Sequence, residues 1–222
     1  MSTWRMARES LSRERIIEAS IALLDEAGES GLTFRALSLR LATGPGAIYW
    51  HIENKSELLT AACDAIVARA MKLPLANATP EASIRAIALG MFDAIDAHPW
   101  VGSALTHAPG QQPVIRILER LGQQLRAIGV PSDQEWSTVS ALLNYILGVG
   151  GQHAANTQFA QAGNIDRAEL LDSVATAWSE LDPDEYPFAR SISGSLRGHD
   201  DRADYLAGID LILRGIHLPA SY

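Results

Sequence analysis

The apolar positions of this chain recur at helical spacing, and no alternation of β-branched and polar residues persists long enough for a strand, so the pattern predicts an all-α protein. Over residues 10–28, Ile16, Ser20, Leu23 and Ala27 fall at i, i+4, i+7 and i+11 on one face, with Ser12 as the capping candidate and Gly28 as the stop. Thr33 can cap a short second segment in which Leu37 and Leu41 lie one turn apart. Residues 42–46, Ala-Thr-Gly-Pro-Gly, interrupt the pattern. Ala47-Ile48-Tyr49-Trp50-His51 then predicts a third helix of barely two turns, with Pro45 suited to its first turn. Asn54 can cap a fourth helix that carries Leu58, Leu59, Ala62, Ile66 and Ala70 up to Pro74. After a linker, Pro74–Pro80, helices are expected at about 81–97, 112–128, 133–158, 167–180 and 201–216. His98-Pro99 and Gly129-Val130-Pro131 are the clearest stops, and 182–200, rich in Pro, Gly and acidic residues, reads as an exposed loop.

Composition narrows the class. With 222 residues, 47% hydrophobic and 20% charged, the chain has the balance of an ordinary globular protein and can bury a sizeable core. Its single cysteine, Cys63, excludes an internal disulfide framework and any multi-cysteine metal site, and suits a reducing compartment. Residues 1–10 lack the apolar stretch of a signal peptide and no run approaches 18 apolar residues, so a cytoplasmic location is expected. The net charge of -8 argues at first against a nucleic-acid partner. It is unevenly spread: residues 1–72 hold 9 basic and 9 acidic side chains, residues 73–222 hold 9 and 17, so the whole excess lies in the C-terminal part. That asymmetry points to two parts with different tasks, residues 1–54 and 55–222, with a helix over 55–73 connecting them.

A short helix, a turn of small residues and a second short helix, flanked by longer ones, is the layout of a helix-turn-helix DNA-binding unit. The residues Thr33-Phe34-Arg35-Ala36-Leu37-Ser38-Leu39-Arg40-Leu41, Ile48-Tyr49-Trp50-His51 and Asn54-Lys55-Ser56-Glu57-Leu58-Leu59 resemble the TetR family of transcriptional regulators. His98-Pro99-Trp100 and residues 205–213 further resemble its tetracycline-repressor branch. The resemblance implies an N-terminal three-helix DNA-binding domain, a C-terminal helical ligand-binding and dimerisation domain, and a homodimeric repressor of a palindromic operator released by a small-molecule inducer. Tyr49, Trp50 and His51 occupy successive positions of a two-turn helix, so at least one aromatic faces outward, where a polar tip suits phosphates and base edges. Thr33 offers a hydroxyl and a helix N-terminus to a phosphate, and Lys55 a point charge. Tyr49 could instead pack under the first helix, and Lys55 could pair with Glu57 or Asp64.

The sequence departs from its relatives at the start of the recognition helix. Gly44, Pro45, Gly46 and Ala47 stand where polar side chains are usual, and none can make a bidentate bond to a base. Readout would rest on the Ala47 methyl, on backbone approach at the glycines, and on Arg35, Trp50 or His51, which predicts weak base discrimination and more shape readout. Ala42 replaces the glycine common in the turn, and Thr43 the following hydrophobic residue.

In the C-terminal part, the helix at 133–158 carries two apolar stripes, Trp136, Val139, Leu143 and Ile146 beside Leu142, Tyr145 and Val149, and so is buried all round. With the last helix, over 201–216, it suits a four-helix bundle across a two-fold axis. Gly148, Gly150 and Gly151 inside it mark close approach at that interface, room for a ligand, or a helix end at Gly148. Candidate ligand-facing residues are Trp100, His107, Trp136, Asn144, Tyr145, Gln152 and His153. No histidine has metal-ligand spacing, so neither metal nor cofactor is implied. No nucleophile-elbow or phosphate-loop spacing favours an enzyme. A helical interaction protein without DNA binding is the alternative.

Overall fold

The computed structural model describes residues 11–72, 78–107 and 110–216, which among them form helices and no strand. The first is α1, Arg13–Gly31, capped by Ser12, whose side chain accepts the Arg15 N–H. Gly28 breaks it as expected: the glycine takes the non-helical φ 62° and ψ -168°, and only a short further turn follows to Gly31. Helix α2, Phe34–Arg40, starts at Thr33; α3, Pro45–Tyr49, opens with its proline in the first turn; α4, Lys55–Ala70, is capped by Asn54. Asn54 Oδ1 accepts the Glu57 N–H while Glu57 Oε2 accepts the Glu53 N–H, a reciprocal cap that binds the turn to the helix. The Glu53 amide and, after it, the Arg13 guanidinium hold the Glu57 carboxyl below its ordinary range, so this cap weakens as acid protonates it.

Helix α5, Pro80–Ala97, ends at His98. Then comes α6, Trp100–His107, which the sequence reading left out. Its eight residues sit between two prolines, but Trp100, Val101 and Leu105 are buried, and the packing of that one face sustains a helix too short to form alone. Helix α7 is Gln112–Ile128, closed by Gly129 at φ 92°, and α8 runs unbroken over Glu135–Gly163. The possible stop at Gly148 is therefore corrected. Helix α9, Arg167–Ser179, precedes α10, Pro187–Ile192, and a 3-10 turn over Ser193–Gly198; residues expected as a loop are folded there, tied back by Arg197 to Asp172 at 2.6 Å. The last helix is α11, Asp201–Ile216.

One contiguous apolar cluster runs through these helices, from Ile16, Leu37 and Ile48 through Leu58, Ala62 and Ile66 to Ile84, Met91, Ile117, Leu142, Tyr205 and Ile209. Two glycines set how closely its helices approach. A Cβ on Gly102 of α6 would lie 2.9 Å from Ala154 Cβ and 3.4 Å from Gly151 Cα of α8; one on Gly150 would lie 2.6 Å from Ile95 Cδ1 of α5. The α8 glycines at 150 and 151 thus serve packing within the subunit. Among the described residues no helix is long and apolar enough to cross a membrane. Because helix backbone cannot yield as a side chain can, Gly102→Val is expected to destabilise the protein by about 1–3 kcal/mol. A lowered urea midpoint with unchanged slope, at fixed protein concentration, is the check.

Candidate nucleic-acid interface

Helix α3 has five residues, so its pose is fixed by what it buries. Ile48 and Ile52 are buried in the common core, and this seats the short helix beside α2 with Tyr49 and Trp50 left exposed. Tyr49 is 52% exposed and stacks on Phe34 of α2, centroids 4.2 Å apart and planes 10° from parallel. It does not pack under α1. Trp50, at the C-terminal end of α3, is 90% exposed, so the isolated subunit forfeits the burial of a large apolar ring. His51 is half-buried.

Around this pair stand the other expected residues. Thr33 is exposed; its Oγ1 accepts the Ala36 N–H at 3.1 Å, which leaves the hydroxyl proton to donate outward. Arg35, Gly44, Pro45 and Gly46 are exposed and Ala47 half-exposed, and a Cβ on Gly44 or Gly46 would meet nothing within 4 Å. Lys55 is exposed but pairs with neither Glu57 nor Asp64. Its Nζ donates to the Glu29 carbonyl at the end of α1, at 2.6 Å, leaving two further N–H groups. Leu39 of α2, 76% exposed on the same unit, was not singled out by its sequence position. Phe34, which seats Tyr49, was likewise missed, because a stacking partner across the turn carries no periodic signal.

The turn itself holds strain. Ala42 adopts φ 49°, the left-handed region that an L side chain enters at a cost of about 1–2 kcal/mol. It is kept there by the Thr43 N–H donating to the Ser38 carbonyl at 3.0 Å and by Ile48 buried just beyond.

Of the seven residues expected to face a ligand, the six whose side chains are described are spread over α6 and the length of α8. Trp100 is buried and donates its indole N–H to Asp25 of α1 at 2.7 Å, beside His98, whose Nδ1 reaches the same oxygen at 2.7 Å. His107 closes α6, its side chain lying outside the described residues. Trp136 is 71% exposed on the outer side of α7 and α8, and Asn144 and Gln152 are exposed on α8. Tyr145 donates to the Tyr205 carbonyl at 3.1 Å, and His153 is held by Asp96 at 2.6 Å and by the Phe92 ring. None of the described six lines the cavity of about 350 Å³ that lies between α1, α4, α6 and α7. Among the described residues, no group of His, Cys, Asp and Glu is arranged to hold a metal ion.

A short, outward-facing second helix ending in exposed aromatics, with an exposed arginine and lysine on the helices to either side, has the layout of a helix-turn-helix DNA-binding unit. Residues 16–62 match the family described as bacterial regulatory proteins, tetR family. The solved transcriptional regulator SCO7222, a TetR from Streptomyces coelicolor, is 53% identical, with 93% of this chain and 98% of that one covered and a TM-score of 0.84. The class D tetracycline repressor protein of Escherichia coli is 28% identical over 96% of this chain and 91% of its own. ActR of S. coelicolor, solved in complex with actinorhodin, shares the fold at 19% identity and a TM-score of 0.76, over 94% of this chain and 96% of that one. The chain belongs to the TetR family, and is thus a transcriptional regulator and not an enzyme.

Replacing Ala42 by glycine removes the left-handed strain and is expected to stabilise the protein by about 1 kcal/mol, net of the backbone freedom glycine gains when unfolded. Thermal unfolding of Ala42→Gly beside the parent checks it, a rise in midpoint being the expected result.

Proposed function

We propose that the chain is a homodimeric repressor that reads a palindromic operator through α3 and is released by a small molecule bound in its C-terminal part. The observation that carries the DNA reading is the ring of exposed Thr33, Arg35, Tyr49, Trp50 and Lys55 around α3, on a part of the chain without net charge. Thr33, Tyr49 and Lys55 contact the phosphates. Gly44, Pro45, Gly46 and Ala47 let the α3 backbone lie close to the bases, and Arg35, Trp50 and His51 reach the groove. The functional division is at residues 54 and 55. The acidic C-terminal part faces away from phosphate, and the protein works in the cytoplasm.

Dimerisation rests on faces that an isolated subunit leaves bare. Ala141, Asn144, Gly148, Gln152, Ala155 and Phe159 form one exposed stripe along α8, and Ala207 and Leu211 an exposed stripe on α11. Gly148 has nothing within 4 Å of a built Cβ, so the roughly 0.8–1.0 kcal/mol that glycine forfeits in a helix gains nothing inside the subunit. A second α8 crossing there gives the glycine its use, and the two subunits then hold their α3 helices for half-sites about 34–36 Å apart. An inducer that shifts α4 changes that spacing; moving the equilibrium from 99:1 to 1:99 needs about 5.5 kcal/mol of differential affinity.

Gel-shift and footprinting against the DNA flanking the gene should show salt-sensitive, sequence-selective binding, with a base-substitution scan shallow except at a few positions. Tyr49→Ala combined with Lys55→Ala should weaken binding at least tenfold while sedimentation still reports a dimer. Unchanged affinity would favour an interaction protein that does not use DNA. Gly148→Arg should give monomers by sedimentation and lose operator binding while keeping its helical circular dichroism; a dimer that persists would move the interface elsewhere.

A further inference from the structure

The cavity between α1, α4, α6 and α7 contains none of the residues that the sequence marked for ligand contact. It is about 350 Å³ in volume, within the 300–1,000 Å³ of small-molecule sites. Leu59 and Cys63 of α4, Leu105 of α6, and Pro113 and Val114 of α7 give it an apolar side. Polar groups stand among them: Ser56 and Thr60 on α4, Ser103 on α6, and Gln111 before α7. The Thr60 hydroxyl donates to Gln111 Oε1 at 2.6 Å, which fixes the amide so that its NH2 group is presented as a donor and the threonine oxygen as an acceptor.

Charge selects among ligands. Among the described residues of the lining, Glu29 is the one charged side chain; Cys63 is neutral, its thiol pushed up to about 12 by burial and, after that, by the nearby Asp64 carboxylate. No lysine or arginine lines the space, and its α6–α7 wall belongs to the part of the chain that carries the acidic excess. Such a field draws cations and repels anions.

Position gives occupancy a consequence. Glu29 belongs to α1 and Ser56 to the first turn of α4, so a ligand seated here touches the DNA-binding part and the α6–α7 wall at once. The Glu29 backbone carbonyl is also the atom that holds Lys55 Nζ, at 2.6 Å.

We propose that this cavity is an effector site for a compact amphipathic amine, its hydrocarbon body among Leu59, Leu105, Pro113 and Val114 and its ammonium group towards Glu29, and that occupancy weakens DNA binding by moving the end of α1 and the Lys55 tether. The effector role rests on the repressor reading above; the binding site does not.

Three probes sharing one ring and differing in charge test it on the full chain: tryptamine, tryptophol and indole-3-propionate. Tryptamine is expected to raise the melting temperature most, tryptophol less, and indole-3-propionate to bind at least tenfold more weakly than the amine. Glu29→Gln should bring the amine down to the alcohol. Ala104→Trp, which fills the cavity from α6, should abolish both shifts; if it fails to fold, Thr60→Val should weaken amine and alcohol alike by several fold. No shift with any probe, equal binding of the acid, or an amine shift that survives Ala104→Trp overturns the site. Fluorescence anisotropy of the flanking DNA separates the two readings. Absence of DNA binding before any probe is added counts against the repressor and with it the effector role, whereas intact DNA binding that saturating tryptamine leaves unchanged overturns the effector role alone.

Discussion

Helix α4 is buried from two sides, and the arrangement of the molecule depends on it. Leu58, Ala62, Cys63, Ile66 and Val67 are all withdrawn from water, so the helix has one flank on α1 and another on α5, α6 and α7. Polar ties repeat the same pattern at its edges. Arg13 and Glu57 join α1 to its first turn, Arg69 pairs with Glu18 of α1 near its end, and Arg116 of α7 holds Asp64 with two bonds at 2.8 and 2.9 Å. These exposed or half-exposed pairs are each worth little, but they fix the rotation of a helix whose burial already fixes its position. A helix held in this way transmits a displacement, because close-packed interiors shift as units and do not deform smoothly.

A second path joins the same parts. Asp25 of α1 takes the Trp100 indole N–H and the His98 ring nitrogen, so the start of α6 is fastened to the DNA-binding part. The other side of α6 is pressed on α8 at Gly102, where even a methyl group has no room. The cavity lies between these two constraints, next to the point where α1 ends and Lys55 is held. The geometry therefore places a ligand-sized space, a short packed helix and the exposed Lys55 in sequence.

Much of this was legible in the chain. The caps Ser12, Thr33 and Asn54, the first-turn Pro45, and the spans of α5, α7, α9 and α11 follow from local chemistry, because a hydroxyl or amide before an apolar periodic run satisfies backbone donors wherever it occurs. The helix-turn-helix unit was legible for the same reason, since its turns and caps are sequence-local. What was not legible depends on neighbours distant in sequence. Helix α6 forms because Trp100, Val101 and Leu105 find α1, α4 and α8; Gly150 and Gly102 are small because Ile95 and Ala154 lie opposite; and the 182–200 segment folds because it packs on α9.

The same division separates the helix-turn-helix unit from the cavity. Sequence alone determined that this is a helical DNA-binding regulator and which residues surround its recognition helix, because a motif of twenty-odd residues carries its own hydrogen-bond and packing instructions. Only the tertiary structure decided where a ligand has room. Of the residues picked as polar among apolar neighbours, Trp100, Tyr145 and His153 bond Asp25, Tyr205 and Asp96, whereas the cavity is lined by Ser56, Thr60, Ser103 and Gln111, drawn from three segments. A cavity is the volume left over when all the helices have packed, and no local pattern along one chain encodes a volume bounded by four of them.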